Sequence, residues 1–170
     1  IIFGFTDQIY NFFFKNKLNK QYIKYLKNGI LLHGGGWKKL ESKKIDNSKF
    51  KKYINLNFKI KNIYNYYGLI EQTGSIFIEC PECSAFKCSI YSDVIIRDKN
   101  LNIIKKDGEI GLLQVMSTVP TSYPGNIILT EDLAEFANEN KCKRCKGYNG
   151  KRFKIHGRAE NSELRGCANI

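Results

Sequence analysis

The sequence has 170 residues, 42% of them hydrophobic and 13% aromatic against 26% charged, a balance that excludes a disordered chain, while the length admits one sizeable core but not two full-sized domains. The formal net charge of +12 is carried almost entirely by residues 1–66, where 14 lysines face three acids, so residues 67–170 are close to neutral. The bases are 23 lysines and only 5 arginines, which speaks against a nucleic-acid partner, since base-reading and strand-tracking sites favour clustered arginine beside stacking aromatics.

The chain opens on Ile1, and Ile1–Phe5 lacks the basic flank and cleavage site of a signal peptide, so it reads as part of something longer. Asp7 to Lys27 places Ile9, Phe12, Phe13, Ile23 and Leu26 on one helical face, with Gly29 as the stop and Phe12-Phe13-Phe14 as core contacts. Ile30-Leu31-Leu32 reads as a short buried strand running into the turn His33-Gly34-Gly35-Gly36-Trp37. A Lys-rich helical region follows, with Ser48 as its N-cap. Strand, glycine turn and helix make an α/β segment.

From Ile60 onward the pattern becomes β-rich. Ile63–Tyr67, Ser75–Glu79, Cys88–Arg97, Leu101–Lys105, Leu112–Ser117, Asn126–Leu129 and Arg152–His156 are short runs, with Lys99-Asn100 and Lys106-Asp107-Gly108 as turns. The polar stretch Pro120–Gly125 is a loop over a binding surface, and a boundary is expected near Gly157-Arg158. Ile110–Thr130 is uncharged, yet Pro120, Pro124, Gly125, Gln114 and Asn126 break or polarise it, so no transmembrane span is expected.

Four of the six cysteines form two C-x-x-C pairs, Cys80 with Cys83 and Cys142 with Cys145. Each pair presents two thiolates to one ion. Together they complete a closed tetrahedral S4 shell suited to a structural zinc, stapling the β-rich region to the stretch before Lys151. Cys88 is an alternative to Cys83 as the fourth ligand, and buried unliganded cysteines or a redox pair are the other readings. Free or metal-bound thiols point to a reducing, cytoplasmic setting.

Three further segments carry chemistry. In Tyr66-Tyr67-Gly68-Leu69-Ile70-Glu71-Gln72-Thr73-Gly74 a carboxylate follows a glycine turn at a strand end, a place to hold Mg2+ near phosphate oxygens. Leu129-Thr130-Glu131-Asp132-Leu133 ends a strand on an acid able to accept from a ribose diol. Ile155-His156-Gly157-Arg158 supplies a hinge and a cation.

In this order and spacing the segments resemble the adenylate-forming superfamily of acyl ligases. More closely they resemble the acyl-protein synthetase (LuxE-type) family, through Tyr67–Ser75, Pro120–Gly125, Leu129–Leu133 and Glu163-Leu164-Arg165-Gly166-Cys167. The resemblance covers most of residues 30–169, and it extends to Ile70 and Glu131, where the wider superfamily carries Ser or Thr and Gly.

The resemblance implies the C-terminal part of an adenylate-forming ligase domain: an α/β segment, then a β-rich region with a zinc-knuckle-like staple. Residues 1–157 are expected to belong to the adenylating domain and 158–170 to the hinge and the start of a C-terminal tail. The implied reaction turns fatty acid and ATP into acyl-adenylate and pyrophosphate. The acyl group then passes to an enzyme cysteine as a thioester and on to an acyl-CoA reductase-type partner that makes aldehyde. Carried over by position, Glu71 binds Mg2+, Asp132 the ribose hydroxyls, and Arg158 sits at the hinge beside the nucleotide. Gly34, Gly35, Gly36, Tyr67 and Gly68 line the nucleotide site, and Cys167 carries the acyl group with Arg165 favouring its thiolate. Trp37 and His33 are expected to be structural, and Arg97 a solvated strand residue. The family's phosphate loop and its C-terminal lysine have no counterpart in these residues, so the fragment alone is expected to be inactive. Two alternatives stand beside this reading: a coenzyme A-dependent ligase of the same superfamily, and a non-catalytic zinc-stapled module that binds a partner through basic residues 15–61.

Overall fold

The structure, a computed structural model, describes residues 1–15, 20–137 and 142–159, which fall into two compact units divided between Tyr66 and Tyr67.

In the first unit three parallel strands, β1 (Ile2–Phe5), β2 (Ile30–Gly34) and β3 (Asn62–Tyr67), lie in that order, with Ile2 opposite Leu31 and Ile30 opposite Asn62. Tyr67, the last residue of β3, belongs to the second unit. Parallel neighbours need a crossover. The first passes through α1 (Thr6–Tyr10), a π-helical turn (Asn11–Lys15) and α2 (Lys20–Leu26). The second passes through a 3-10 turn (Lys38–Lys43) and α3 (Asn47–Phe58). Phe50, Ile54 and Phe58 recur every four residues along α3 and pack with Ile9, Phe13, Leu31, Trp37, Ile60 and Ile63. Trp37 is therefore core, as expected.

Two local readings change. The cap of α3 is Asp46, whose carboxylate accepts from the amides of Ser48 and Lys49; this places Ser48 inside the first turn, where its own hydroxyl also bonds Asp46. The single helix expected over Asp7–Lys27 is broken by the π-helical turn, and residues 16–19 lie outside those described. Adjacent residues on a helix point about 100° apart, so Phe12 and Phe13 do not share the buried face: Phe13 is 1% exposed and Phe12 46%. β1 was not expected at all, because four residues carry too short a pattern to read.

His33 is buried on β2 against the Phe50 ring. The Thr6 hydroxyl donates to the carbonyl of Gly34 at 3.0 Å, so toward His33 Nδ1, 3.1 Å away, it acts as acceptor, and Nδ1 carries the proton. Nε2 is buried without a partner. Burial, and then the nearby Lys51, lower the imidazole from its ordinary 6.5 to about 4. A lowered histidine contributes its full stability above 6.5 and loses it as the pH falls toward 4. The whole effect is about 3 kcal/mol. Urea midpoints at pH 7 and pH 4.5 should therefore diverge more in the native sequence than in His33→Asn, and equal divergence would refute this account.

The second unit is an antiparallel sheet in the order β4-β5-β10-β9-β8-β6-β7. Its strands are β4 (Phe77–Glu79), β5 (Phe86–Lys87), β6 (Ser92–Arg97), β7 (Ile103–Ile104), β8 (Gly111–Ser117), β9 (Ile127–Phe136) and β10 (Arg152–Arg158). Alternate residues Val94 and Ile96, and Leu113 and Val115, form its core with Phe77, Phe86, Cys88, Ile104, Ala134 and Phe153.

Of the run read as Cys88–Arg97 only Ser92–Arg97 is strand, β6, and the preceding strand β5 ends at Lys87. Between them Ser92 Oγ accepts from the Ser89 amide and Ser89 Oγ from the Tyr91 amide, building a turn that leaves Ile90 91% exposed. Arg97 is tied down rather than solvated: Nε donates to Gln114 and Nη1 to the carbonyl of Leu101. Residues 110–130 form β8 and the start of β9, and no described helix is long and apolar enough to cross a membrane.

Candidate functional site

β9 is longer than expected, so Asp132 lies inside a strand rather than at its end. Its exposure comes from irregular pairing on both sides. Against β8 the register passes from Leu112–Leu133 to Gln114–Leu129, leaving Thr130–Asp132 bulged; against β10 it shifts between Ile155 and Gly157. Gly157 adopts φ +141, a left-handed conformation suited to glycine at such a bulge. Thr130 Oγ1 locks the bulge by donating to the carbonyl of Leu113 at 2.7 Å and accepting from the Asp132 amide at 3.1 Å.

The Asp132 carboxylate that results is held from two directions. Tyr67 Oη donates to Oδ2 at 2.7 Å, and Arg158 Nε stands 3.7 Å from Oδ1. The Tyr67 ring packs against Phe77, Phe86 and Phe153, each with centroids 6.1 Å away. Burial, followed by the Asp132 charge, raises the phenol far above its usual range, so it stays protonated and donates. The Arg158 Nη2 atom also lies 3.6 Å from Glu131 Oε2, so one guanidinium spans both acids of the Thr-Glu-Asp segment. A carboxylate fixed in this way keeps part of its surface open, where it can accept hydrogen bonds.

Glu71 stands exposed on the 3-10 turn Ile70–Gln72. The turn is anchored by the Pro120–Gly125 loop. Gln72 Nε2 donates to the carbonyl of Gly125 at 2.9 Å, the Thr73 amide donates to Tyr123 Oη at 2.9 Å, and Ser75 Oγ donates to Ser117 Oγ at 2.6 Å. A Cβ at Gly125 would sit 2.7 Å from the carbonyl oxygen of Glu71 and 2.3 Å from the Tyr123 ring, so only glycine fits. The loop thus serves to pin the Glu71 turn. Gln72 and Tyr123 were not singled out from sequence; their only signal is membership of the two shared segments.

The other glycines have structural reasons. At Gly34 a Cβ would meet Tyr66 at 2.6 Å, and Gly35 turns at φ +73. Gly36 is exposed. All three lie in the first unit, while Tyr67, Gly68, Glu71, Asp132 and Arg158 lie in the second.

The two C-x-x-C turns come together. The four sulfurs of Cys80, Cys83, Cys142 and Cys145 all lie within 4.8 Å of one another, with Cys80–Cys142 and Cys83–Cys145 each at 3.8 Å. These separations are far from the roughly 2.05 Å of a disulfide. Glu82 Oε2 approaches Cys142 Sγ at 3.7 Å. Cys88 packs instead in the main core, its thiol pushed up to about 12 by burial and then by Asp93. The fourth member of the cluster is therefore Cys83.

Residues 1–170 match the family described as acyl-protein synthetase, LuxE. The chain belongs to this family. Among solved structures, the LuxE-family chain is similar to the luciferase-like enzyme of the nonluminescent mealworm Zophobas morio, with TM-score 0.60 and 18% identity over 92% of this chain and 38% of that one. It is also similar to a benzoate CoA ligase from Burkholderia xenovorans LB400, with TM-score 0.60 and 14% identity over 92% and 30%. The amide bond synthetase McbA from Marinactinospora thermotolerans gives TM-score 0.56 and 14% identity over 92% and 31%. No curated protein sequence matches. The fold is that of the adenylate-forming ligases, and the chain spans about a third of the length of these structures.

Of the residues expected from sequence, the structure of this LuxE-family chain joins Tyr67, Asp132 and Arg158 in one cluster and the four cysteines in another. Cys167, with Glu163–Gly166, lies outside the described residues.

Proposed function

We propose that the protein containing this chain activates a fatty acid with ATP and Mg2+ and transfers the acyl group to Cys167. In the first step a carboxylate oxygen of the acid attacks the α-phosphorus and pyrophosphate leaves, forming acyl-adenylate. In the second, the Cys167 thiolate attacks the acyl carbonyl and AMP leaves, forming a thioester for an acyl-CoA reductase-type partner to reduce to aldehyde.

The observation that carries this reading is the Tyr67–Asp132–Arg158 cluster in a LuxE-family chain. Asp132 accepts from the ribose hydroxyls, its second oxygen held by Tyr67. Arg158 ends β10 beside it. Glu71, exposed on a pinned turn, holds Mg2+, whose charge offsets that of the phosphate oxygens. None of the five described cysteines is in a disulfide, in keeping with a reducing cytoplasmic setting.

The test is to incubate the full-length protein with ATP, Mg2+ and labelled long-chain fatty acids. Protein label removed by neutral hydroxylamine is expected. Acyl-adenylate without protein label at any chain length would overturn the acyl-cysteine step and favour coenzyme A as acceptor; neither product would overturn the activation step.

A further inference from the structure

We infer that Cys80, Cys83, Cys142 and Cys145 bind one zinc ion as a closed tetrathiolate, which ties the β4–β5 turn to the connection between β9 and β10.

The sulfur positions carry the argument. A tetrahedral ion with Zn–S bonds of about 2.3 Å separates its sulfurs by about 3.8 Å. Two of the sulfur pairs stand at 3.8 Å and no pair exceeds 4.8 Å. Each pair sits on a hydrogen-bonded turn, the Ser84 amide donating to the Cys80 carbonyl at 2.9 Å and the Cys145 amide to the Cys142 carbonyl at 3.1 Å. Both turns are tight, with Ser84 at φ 57 after the first pair and Gly147 at φ 81 after the second. Four thiolates around a divalent cation carry a net charge of −2, and Lys143, Arg144 and Lys146 adjoin the second pair in sequence.

The cluster's composition supplies an independent reason. The three buried cysteines form a small core of their own, with Cys83 partly buried against it; among the described residues no aliphatic or aromatic side chain joins that cluster. Four thiols bury too little surface to hold two turns from distant parts of the chain, whereas a metal bond set does so directly. The two turns lead into β5 and out of β9, the strands that pair with β10 on its two sides. With all four positions filled by protein sulfur, no site remains for substrate, so the ion is structural. This inference does not depend on the ligase reading.

The full chain, purified reduced and without chelator, should contain one zinc. Cobalt replacement should give the thiolate charge-transfer and tetrahedral ligand-field bands of a CoS4 centre. Cys83→Ser and Cys145→Ser should lose the metal, and Cys88→Ser should retain it. If the first two variants precipitate, a mercurial titration of the native protein decides: zinc should be released in step with four thiols. Amides of β10 should then exchange at least ~10-fold faster. Substantially substoichiometric zinc in folded protein, iron in its place, zinc kept by the Cys83 and Cys145 variants, or release uncoupled from four thiols would overturn the assignment.

Discussion

Replacing Asp132 with alanine is expected to lower kcat/KM for ATP in pyrophosphate exchange by roughly 100-fold, the loss of a charge-assisted hydrogen bond or two worth about 1.5–3 kcal/mol. The carboxylate is already immobilised in the free protein by Tyr67 and by the bulge that Thr130 secures, so binding the ribose costs little further ordering. The same substitution leaves the Tyr67 hydroxyl buried without its acceptor and Arg158 without one of its acids, which should also reduce stability by about 1–3 kcal/mol. Asp132→Asn separates the two effects, because an amide oxygen still accepts from Tyr67 while the negative charge is gone. Tyr67→Phe should raise KM for ATP more than it lowers kcat, since its part is to position the carboxylate. Nucleotide affinity unchanged in Asp132→Ala, with only the melting temperature lowered, would reduce Asp132 to a structural residue.

Cys167→Ala is expected to bring hydroxylamine-sensitive acyl label to background while pyrophosphate exchange continues. Structure enters this prediction by elimination. Cys80, Cys83, Cys142 and Cys145 are committed to one cluster, and Cys88 is buried with its thiol pushed up to about 12, so none of the five presents an available thiolate. Cys167 is the remaining cysteine in the sequence and ends the family segment Glu163–Cys167. Mass spectrometry of the labelled peptide reads the acceptor directly. Label retained in Cys167→Ala, or lost in Cys88→Ser, would move the acceptor elsewhere.

Sequence was most informative where the signal is local. The parallel strands at Ile30 and Ile63, the β-rich character after residue 60 and the two C-x-x-C pairs follow from short-range periodicity and spacing. The family follows from contiguous segments such as Tyr67–Ser75. Where sequence misled, the deciding interaction was a competing local bond or a distant one. Serine hydroxyls turned Ser89–Ser92 away from the strand that its hydrophobic neighbours suggested. At α3 a carboxylate two residues before Ser48 took the capping amides.

The sequence by itself determined which chemical groups the chain carries: the acids at 71 and 132, the arginine at 158, the thiols, and the glycines that allow tight turns. Only the tertiary structure decided which of them meet. Tyr67 and Asp132 are 65 residues apart and are joined by strand pairing whose bulges no run of residues announces. The sequence favours Cys83 by its C-x-x-C spacing but leaves Cys88 as an alternative, and the fold sends the first to the sulfur cluster and the second into the hydrophobic core. Register and burial depend on the whole sheet, and they assign a role to a side chain that its neighbours in sequence leave open.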